Sequence, residues 1–507
     1  MKIDLVYFPR KNDNLVPRWS HGAIRALPVH IHNAMVIIDS LIRSSDSEFT
    51  LLWDFNIGEV PEELIKNLSA QTIDVWHGGL RLGLQSQPHL INYVYPTWMY
   101  NYDVDAEVIS TSFRLSLRAC LFRNKVWLAV GGADGGYSTV AMIGLDLGYR
   151  WIKAGALIRY SPQLISGNSK KDSLSIPLVD QFRFIRKHFS QKWILWVLYR
   201  NLSKDFFGSV KAWFKTRKIK TQEILPSINK KLILKEIFRG EVSVLIPTLN
   251  RYPYLINELE QLKRQSLKPL EILITDQTDV ADRTSEFALA YKELTIRYFP
   301  QESKGQCIAW NKLLEEAKGE YVLFLGDDAD AIYPDFIQDL MNTLHQYDAD
   351  IVAAHVEEVG IPQSNKFDGF VKITDGFPIC LVRRALIEQA GHMDMVFNKD
   401  IRADHDLAMR CHQLGALMIY DYASRILHHR APSGGLRTHQ ARAKTRYQSK
   451  NTISTLVFPT TSEIYLTKKY FSPELVGEEI RIRKLSLLFI NGNAIKKLIR
   501  IVFVLIR

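Results

Sequence analysis

The chain has 507 residues, of which 47% are apolar, 23% charged and 11% aromatic, and its net charge is +11. This length exceeds the size at which one hydrophobic core stops growing, so at least two domains are expected, and the composition excludes general disorder. The positive charge predicts an anionic partner such as a nucleotide diphosphate, an acidic lipid or a nucleic acid.

The four cysteines are scattered and form no CxxC pair. This argues against a zinc site or a disulfide framework and favours a cytoplasmic location. The sequence has no apolar run of about 18 residues and no signal-peptide pattern at its start, so no membrane-spanning segment is expected.

Residues 1–179 alternate short apolar runs with helical patterns, which is typical of an α/β domain. The pattern predicts strands at residues 2–9 and 49–53, and helices at residues 33–43 and 62–68. These elements make the first predicted domain.

Residues 180–238 are rich in Phe, Trp, Lys and Arg, and they predict amphipathic helices over residues 182–202 and 206–219. Two interpretations stay open. The helices lie in a membrane interface with basic residues near anionic lipid, or they pack as a linker between two domains. A basic helical extension is expected over residues 441–507, ending in an amphipathic segment at 495–507 that touches a membrane or docks on the protein.

Residues 239–440 open a second α/β unit with the repeating βαβ pattern of a largely parallel sheet. Strands are predicted at residues 242–246, 271–275, 296–299, 321–325 and 424–427, and helices at residues 254–265 and 281–291. Pro247 is expected to stop the first of these strands.

Short segments of the two α/β domains recur in the same order, which predicts an internal repeat. The matches pair residues 48–54 with 320–326, 120–123 with 380–383, 146–150 with 406–410, and 7–9 with 298–300. The first copy would therefore lack everything that matches residues 242–294. Gly144 stands where the second copy has Asp404, so the first domain is interpreted as a degenerate copy that no longer catalyses.

An acidic cluster follows the buried strand at residues 321–325. Asp327, Asp328 and Asp330 fall within four positions, and such carboxylates repel one another unless a cation lies among them. Oxygen ligands suit Mg²⁺ or Mn²⁺, which can hold a diphosphate. An acidic turn that only solvates a loop is the alternative.

Four ordered segments, residues 242–251, 271–279, 305–311 and 326–330, resemble the family 2 glycosyltransferases with a GT-A fold. The resemblance covers about residues 242–451. It implies an α/β fold with a GT-A type, Rossmann-like mixed sheet flanked by helices, here preceded by a truncated related α/β domain.

The resemblance implies roles for individual residues. The nucleotide-sugar would be bound by Pro247, Thr248, Asn250, Arg251, Asp276, Asp279, Gly305, Asn311, Asp327 and Arg437. Asp276 is alternatively a turn cap, Asn311 a helix cap or packing residue, and the loop at residues 433–437 a plain flexible turn.

The metal ligands implied by the resemblance are Asp328, Asp330 and a histidine, either His428 or His429. Gly326 departs from the family pattern because it occupies the first acidic position. Asp404 matches the catalytic base, although Ala403 replaces the acid that usually precedes it. Asp406 more simply orients the start of its helix.

Together these features predict an inverting, metal-assisted glycosyltransferase that uses Mg²⁺ or Mn²⁺. The expected donor is a UDP-sugar, and the expected acceptor is a glycan or a lipid-linked molecule in cell-surface polysaccharide synthesis at the inner membrane face. A sugar-nucleotide pyrophosphorylase would need a Gly-rich loop after its first strand, which is missing here. A non-catalytic glycan- or nucleotide-sugar-binding scaffold is the other alternative, and no nucleic-acid partner is expected because no such module is present.

Overall fold

A computed structural model describes residues 2–10, 16–27, 31–85, 89–165, 175–231, 237–331, 333–362, 365–439 and 461–488, with single positions at 495, 498 and 502. These residues form two compact units. The first contains residues 1–230 and 370–373, and the second contains residues 231–369 and 374–507.

The first unit contains the following elements in chain order. Its strands are β1 (Ile3–Phe8), β2 (Ile24–Ala26), β3 (Phe49–Asp54), β4 (Val75–His77), β5 (Ser110–Thr111), β6 (Ala119–Arg123) and β7 (Ile158–Tyr160). Its helices are α1 (Ile31–Ser44), α2 (Glu62–Ser69), α3 (Asn124–Val130), α4 (Val140–Lys153), α5 (Leu178–His188), α6 (Gln191–Leu202) and α7 (Phe206–Thr216).

The sheet of the first unit is mixed, with strand order β2-β1-β3-β6-β4-β7-β5. β1 pairs in parallel with β2 and β3, whereas β6 runs antiparallel between β3 and β4. Every residue of β3 is buried, which explains why its sequence is mostly apolar and does not alternate between apolar and polar residues. Helices α5 to α7, which the sequence suggested as a linker, lie in this unit.

The remaining elements follow in chain order. The strands are β8 (Val242–Thr248), β9 (Glu271–Asp276), β10 (Ile296–Pro300), β11 (Tyr321–Phe324), β12 (Ala329–Asp330), β13 (Ile351–Glu358), β14 (Val371–Ile373), β15 (Cys380–Arg383) and β16 (Met418–His428). The helices are α8 (Tyr252–Lys263), α9 (Glu286–Ala290), α10 (Gln306–Glu316), α11 (Phe336–Gln346), α12 (Arg384–Ala390), α13 (Ala403–Gln413), α14 (Thr461–Tyr470) and α15 (Pro473–Leu488).

The sheet of the second unit has the order β10-β9-β8-β11-β15-β13-β16-β12. β10, β9, β8 and β11 are parallel, and β15 runs antiparallel to β11 and β13. The carboxyl ends of β8, β9 and β11 therefore meet at one edge, where an open α/β sheet binds its ligands. This is the mixed α/β architecture that the sequence predicted.

Five neighbouring strands have matching order and direction in the two sheets. The two runs are β3-β6-β4-β7-β5 in the first sheet and β11-β15-β13-β16-β12 in the second. In both runs the successive neighbouring strands are antiparallel, antiparallel, parallel and antiparallel. β1 and β2 occupy the sheet positions that β8 and β9 occupy in the second unit. The match of residues 7–9 with 298–300 is therefore wrong, as is the expectation that the first unit lacks counterparts of these two strands.

Most predicted elements are confirmed, and three differ. The helix expected at residues 281–291 is reduced to a 3-10 turn and the five-residue α9. The helix expected over residues 182–202 is interrupted between α5 and α6. Pro247 does not end β8, which continues to Thr248. The pairing of β8 with β11 already ends at Leu245, so the missing N–H of Pro247 costs no hydrogen bond to β11.

The tail predicted at residues 495–507 lies mostly outside the described residues. Within the part of the chain that the structure describes, no helix is long and apolar enough to cross a membrane.

Candidate active site

An arginine connects the ends of β8 and β11. The Arg251 guanidinium lies 2.8 Å from Asp327 Oδ1 and 3.2 Å from Asp328 Oδ1, and Thr248 Oγ1 donates to Asp327 Oδ2 at 2.9 Å. All four side chains are almost fully buried. Three residues that the sequence assigned to nucleotide binding are thus assembled around Asp328 by two adjacent strand ends.

Arg251 also holds the loop after β16. Its Nε donates to the carbonyl of Ser433 at 2.8 Å, and its Nη2 donates to that of Gly434 at 3.2 Å. Gly434 has a φ of +73°, and a Cβ there would lie 2.4 Å from the carbonyl oxygen of Leu249. Only glycine fits this close approach, so the loop rests on the turn after β8.

The two adjacent carboxylates titrate in opposite directions. Burial raises the pKa of Asp327 to about 6, despite the charge of Arg251. Burial also acts to raise the pKa of Asp328, but the hydrogen bond with His428 and the charge of Arg251 outweigh it and hold that pKa far below its usual value. Asp328 therefore stays ionised at mildly acidic as well as neutral pH, whereas Asp327 takes up a proton near pH 6.

The predicted metal ligands separate into two pairs. His428 Nε2 lies 3.4 Å from Asp328 Oδ1, and His429 Nε2 lies 2.5 Å from Asp330 Oδ2. Asp330 Oδ1 is buried without a hydrogen-bond partner and lies near the buried Glu258. Burial and the negative charge of Asp330 together raise the pKa of Glu258 well above its usual range. Among the described residues, no three His, Cys, Asp or Glu side chains form a group that could hold a metal ion.

Asp276 is buried at the end of β9. Its Oδ2 accepts from the hydroxyls of Tyr252 at 2.5 Å and Tyr298 at 2.8 Å, and its Oδ1 accepts from the backbone N–H of Thr278 at 2.9 Å. The last contact is the turn-capping bond that was the alternative to base binding. Asp279, in contrast, is exposed and pairs with Lys304 at 2.7 Å.

Gly305 starts α10 in a conformation that excludes a side chain. Its φ is +156°, and a Cβ would lie 2.2 Å from Asn398 Nδ2. Asn398 Oδ1 accepts from the N–H of Ile308 in the first turn of α10, which satisfies one of the free donors of that turn. Asn311 exchanges two hydrogen bonds with the backbone of Met393, so its amide is engaged in packing.

Asp404 lies in the first turn of α13, with its side chain 47% exposed and 3.1 Å from His405 Nδ1. Partial burial acts to raise its pKa, but His405 and the charge of Arg402 outweigh this effect and lower the pKa to about 2. Arg402 donates towards His405 Nε2 at 3.0 Å and to Glu463 at 2.9 Å, and its φ of +88° is unusual for a residue with a Cβ.

Asp404 lies near α10. Burial raises the pKa of the Cys307 thiol on α10 to about 12, and the negative charges of Asp394, Asp406 and Asp404 add to this effect.

The next turn of α10 contributes Trp310 to a cleft at the sheet edge. The cleft is lined by Pro247, Thr248, Leu249, Arg251, Gln277, Gln306, Trp310, Gly326, Asp327, Asp328, Gly435 and His439.

Residues 243–371 match the family model described as Glycosyl transferase family 2. The second unit contains a family 2 glycosyltransferase domain. The match begins in β8 and includes the acidic loop, so it covers the strand ends that carry Arg251 and Asp328.

Relatives of this glycosyltransferase domain cover part of the chain. An uncharacterized glycosyltransferase of Rickettsia felis is 36% identical over 98 residues, which are 19% of this chain and 16% of that protein. The putative glycosyltransferase EpsH of Bacillus subtilis is 31% identical over 125 residues, which are 24% of this chain and 36% of that protein. The chain thus spans 16% and 36% of the lengths of these two curated relatives.

Among solved structures, S. aureus TarS residues 1–349 in complex with UDP-GlcNAc is 18% identical to this chain, with a TM-score of 0.36. The alignment covers 48% of this chain and 73% of that one.

The glycosyltransferase domain brings together part of the predicted site. Pro247, Thr248, Arg251, Asp327 and Asp328 line the cleft. Asn250 is exposed in a left-handed turn, which asparagine adopts more readily than most residues. The side chain of Arg437 lies outside what the structure describes.

Among the polar and aromatic side chains of the cleft, sequence reasoning missed four, namely Gln277, Gln306, Trp310 and His439. Gln306 and Trp310 are four positions apart on α10, so helical spacing within residues 305–311 could have identified them as one face. Gln277 exchanges hydrogen bonds with the backbone of Gly305, which no local pattern indicates.

Proposed function

We propose that the protein is an inverting glycosyltransferase, which moves a sugar from a nucleotide-diphosphate sugar to an acceptor hydroxyl. The observation that carries this proposal is the cleft of the family 2 domain, where Arg251 and Asp328 meet at the carboxyl ends of β8 and β11. We take the donor to be a UDP-sugar and the acceptor to be a glycan or lipid-linked molecule of the cell surface. These choices rest on the family resemblance.

The diphosphate would bind beside Arg251. Its guanidinium is held by Asp328 and by the carbonyls of Ser433 and Gly434, so its position is fixed before a diphosphate binds. Because Asp327 and Asp328 offset its charge, a divalent ion would supply the remaining positive charge. Trp310 and Gln306, one turn apart, would contact the rest of the donor.

Asp404 would act as the general base. The acceptor oxygen attacks the anomeric carbon, the bond from that carbon to the diphosphate oxygen breaks, and the acceptor proton passes to the Asp404 carboxylate. Its lowered pKa keeps Asp404 ionised at neutral pH. Glu463 contacts Arg402, Arg402 contacts His405, and His405 contacts Asp404. This series of contacts holds the Asp404 carboxylate in one orientation.

A divalent ion, Mg²⁺ or Mn²⁺, fits Asp328 and His428. The lowered pKa of Asp328 provides a carboxylate, and His428 provides an adjacent imidazole nitrogen. Mg²⁺ typically takes one or two protein ligands together with substrate phosphates and water, so a group of three protein ligands is not required. The ion would supply charge that stabilises the leaving diphosphate. Asp330 and His429 are left out because neither of them lines the cleft, whereas Asp328 does.

The first unit is proposed as a non-catalytic relative of the second. In both units an aspartate in a buried helix pairs with an arginine four residues later, as Asp146 does with Arg150 and Asp406 with Arg410. The two arginines also donate to equivalent carbonyls, those of Gly131 and Gly391. Together with the matching strand order, these bonds support a duplication.

The position of the base is filled by backbone in the first unit. Gly144 precedes Asp146 by two residues, as Asp404 precedes Asp406. A Cβ at Gly144 would lie 2.3 Å from the carbonyl oxygen of Leu115, so no carboxylate fits there. Loss of turnover without unfolding in Asp54→Asn or Asp146→Asn variants would contradict this proposal.

The test is turnover of a panel of nucleotide-sugars by the full chain, with and without Mn²⁺, beside Asp404→Asn and Asp328→Asn. We expect metal-dependent turnover of one donor and a loss of about a hundredfold or more in Asp404→Asn with nucleotide binding retained. Asp348→Asn, which changes a 91% exposed carboxylate in the same unit, is the matched control. Turnover that is unchanged in Asp404→Asn would overturn the assignment of the base.

A further inference from the structure

Helices α6 and α7 form a hairpin in the first unit, and one side of it is packed. Ile194 and Val197 of α6 and Ala212 of α7 are buried. Asn201 Nδ2 donates to Ser209 Oγ at 2.9 Å and joins the two helices. The packed side therefore fixes which residues face outwards.

The outward side carries large apolar side chains, and we call it the hairpin face. It consists of Leu195 (56% exposed), Tyr199 (66%), Phe206 (56%), Phe207 (84%) and Phe214 (57%). Soluble proteins rarely expose so many large apolar residues on one short segment unless the segment contacts a partner.

The same segment holds much of the positive charge. Residues 189–222 contain eight Lys or Arg residues and a single acid, Asp205, so they carry a net +7 of the chain's +11. α7 exposes both kinds of residue in turn, as Phe207, Lys211 and Phe214. Their spacings of four and three residues place them on one helix face.

We infer that the hairpin face docks the protein on an anionic membrane surface. Aromatic rings and lysines on one helix face match the two layers of a membrane interface, because the rings enter the acyl boundary while the lysines meet acidic headgroups. Phe206 and Phe207 lie at the tip of the hairpin, next to the turn at residues 203–205, and both rings are more than half exposed, so lipid can reach them. Single-stranded nucleic acid, the other partner of aromatic and basic residues, is bound in grooves.

The inference does not rest on the proposed enzyme activity, because it is tested without a sugar donor. The full chain is sedimented with vesicles of equal parts phosphatidylcholine and phosphatidylglycerol, and with vesicles of phosphatidylcholine alone. We expect binding to the acidic vesicles to exceed binding to the neutral ones by about tenfold or more, and to weaken with added salt. No binding of the wild type to acidic vesicles would overturn the inference.

The variants separate insertion from simple charge attraction. Phe207→Ser with Phe214→Ser should abolish vesicle binding, and Lys211→Glu with Lys215→Glu should weaken it. Leu289→Ser is the matched control, because Leu289 is 71% exposed on α9 of the second unit, and it should bind as the wild type does. If the charge variant alone lost binding and the Phe variant kept it, the face would be a general polyanion site and the inference would be wrong.

Folding of the variants is checked by circular dichroism and thermal unfolding. The single variant Phe207→Ser removes a ring that is 84% exposed, so it should leave the melting temperature unchanged while still reducing vesicle binding. Unchanged vesicle binding in this folded variant and in the double variant would contradict membrane insertion.

Discussion

Arg251 Nη1 lies 2.8 Å from Asp327 Oδ1, and this buried contact joins the turn after the first strand of the glycosyltransferase domain to its acidic loop. The same guanidinium reaches Asp328 and two backbone carbonyls. One positive charge thus serves two carboxylates and a loop, so the geometry of the whole cleft depends on it.

Replacing Arg251 by Met should destabilise the domain. The variant would leave the ionised Asp328 buried beside Asp327 with no guanidinium, and breaking a buried ion pair costs about 3–5 kcal/mol. Urea unfolding measures the loss, and nucleotide binding should be lost with it. Arg251→Lys keeps the charge and should recover part of the stability but not the bonds to Ser433 and Gly434. A Met variant as stable as the wild type would show that the pair contributes nothing.

Replacing Gly305 by Ala should reduce both stability and donor binding. The Cβ of the introduced alanine would overlap the side-chain amide of Asn398. That amide must then give up its hydrogen bond to the first turn of α10, and Gln306 of the same turn lines the cleft. Donor affinity and melting temperature are the measurements. Gly376→Ala is the control, because the nearest atom to its Cβ, in Pro378, is 3.9 Å away. Equal behaviour of the two variants would contradict the role of the close approach.

His405 is expected to position Asp404 rather than to react. His405→Gln should lower kcat about tenfold with little change in KM, because the carboxylate remains but is less well oriented. The pH–rate profile distinguishes this role from a structural one. Loss of the imidazole contact should move its acidic limb to higher pH, since that contact helps to lower the pKa of Asp404. A profile unchanged in shape and rate would contradict the prediction.

The first unit should lose stability as the pH falls from about 6.5 towards 4. His77 is fully buried, its Nδ1 accepts from the N–H of Gly79 and its Nε2 donates to the carbonyl of Ser112, so the neutral ring is the form that fits. Burial lowers its pKa to about 4, although the bond to Ser112 opposes this. The unfolded chain then binds a proton that the folded chain does not, which removes about 3 kcal/mol over this range.

Urea unfolding between pH 7 and pH 4 measures this effect. His77→Gln can keep both hydrogen bonds and should flatten the pH dependence by about that amount. His392→Gln changes a half-exposed ring and should leave the pH dependence unaltered. An equal pH dependence in wild type and His77→Gln would contradict the assignment.

The fold class and the ligand-binding edge could be predicted from the sequence, because they depend on local signals. Largely apolar runs at residues 321–325 and 242–246 indicate buried parallel strands, and parallel strands end at a common edge. Asp328 and Arg251 were therefore expected together before any coordinates, as the cleft now shows. The failures were local as well. Residues 281–291 have a helical pattern, but α9 forms over only five of them.

Pairing between distant side chains was decided by the tertiary structure alone. The sequence offered His428 and His429 as equivalent candidates for a metal ligand. Only the antiparallel pairing of β12 with β16 places His428 beside Asp328 and His429 beside Asp330. Asn311 matched a family motif, yet its amide is engaged by Met393 from another loop. The sequence by itself thus determined which residue types lie near the sheet edge, since periodicity locates the strands and hence the polar residues that follow each of them. Which of them remain available for a ligand depended on contacts between segments far apart in the chain, and no local pattern encodes these.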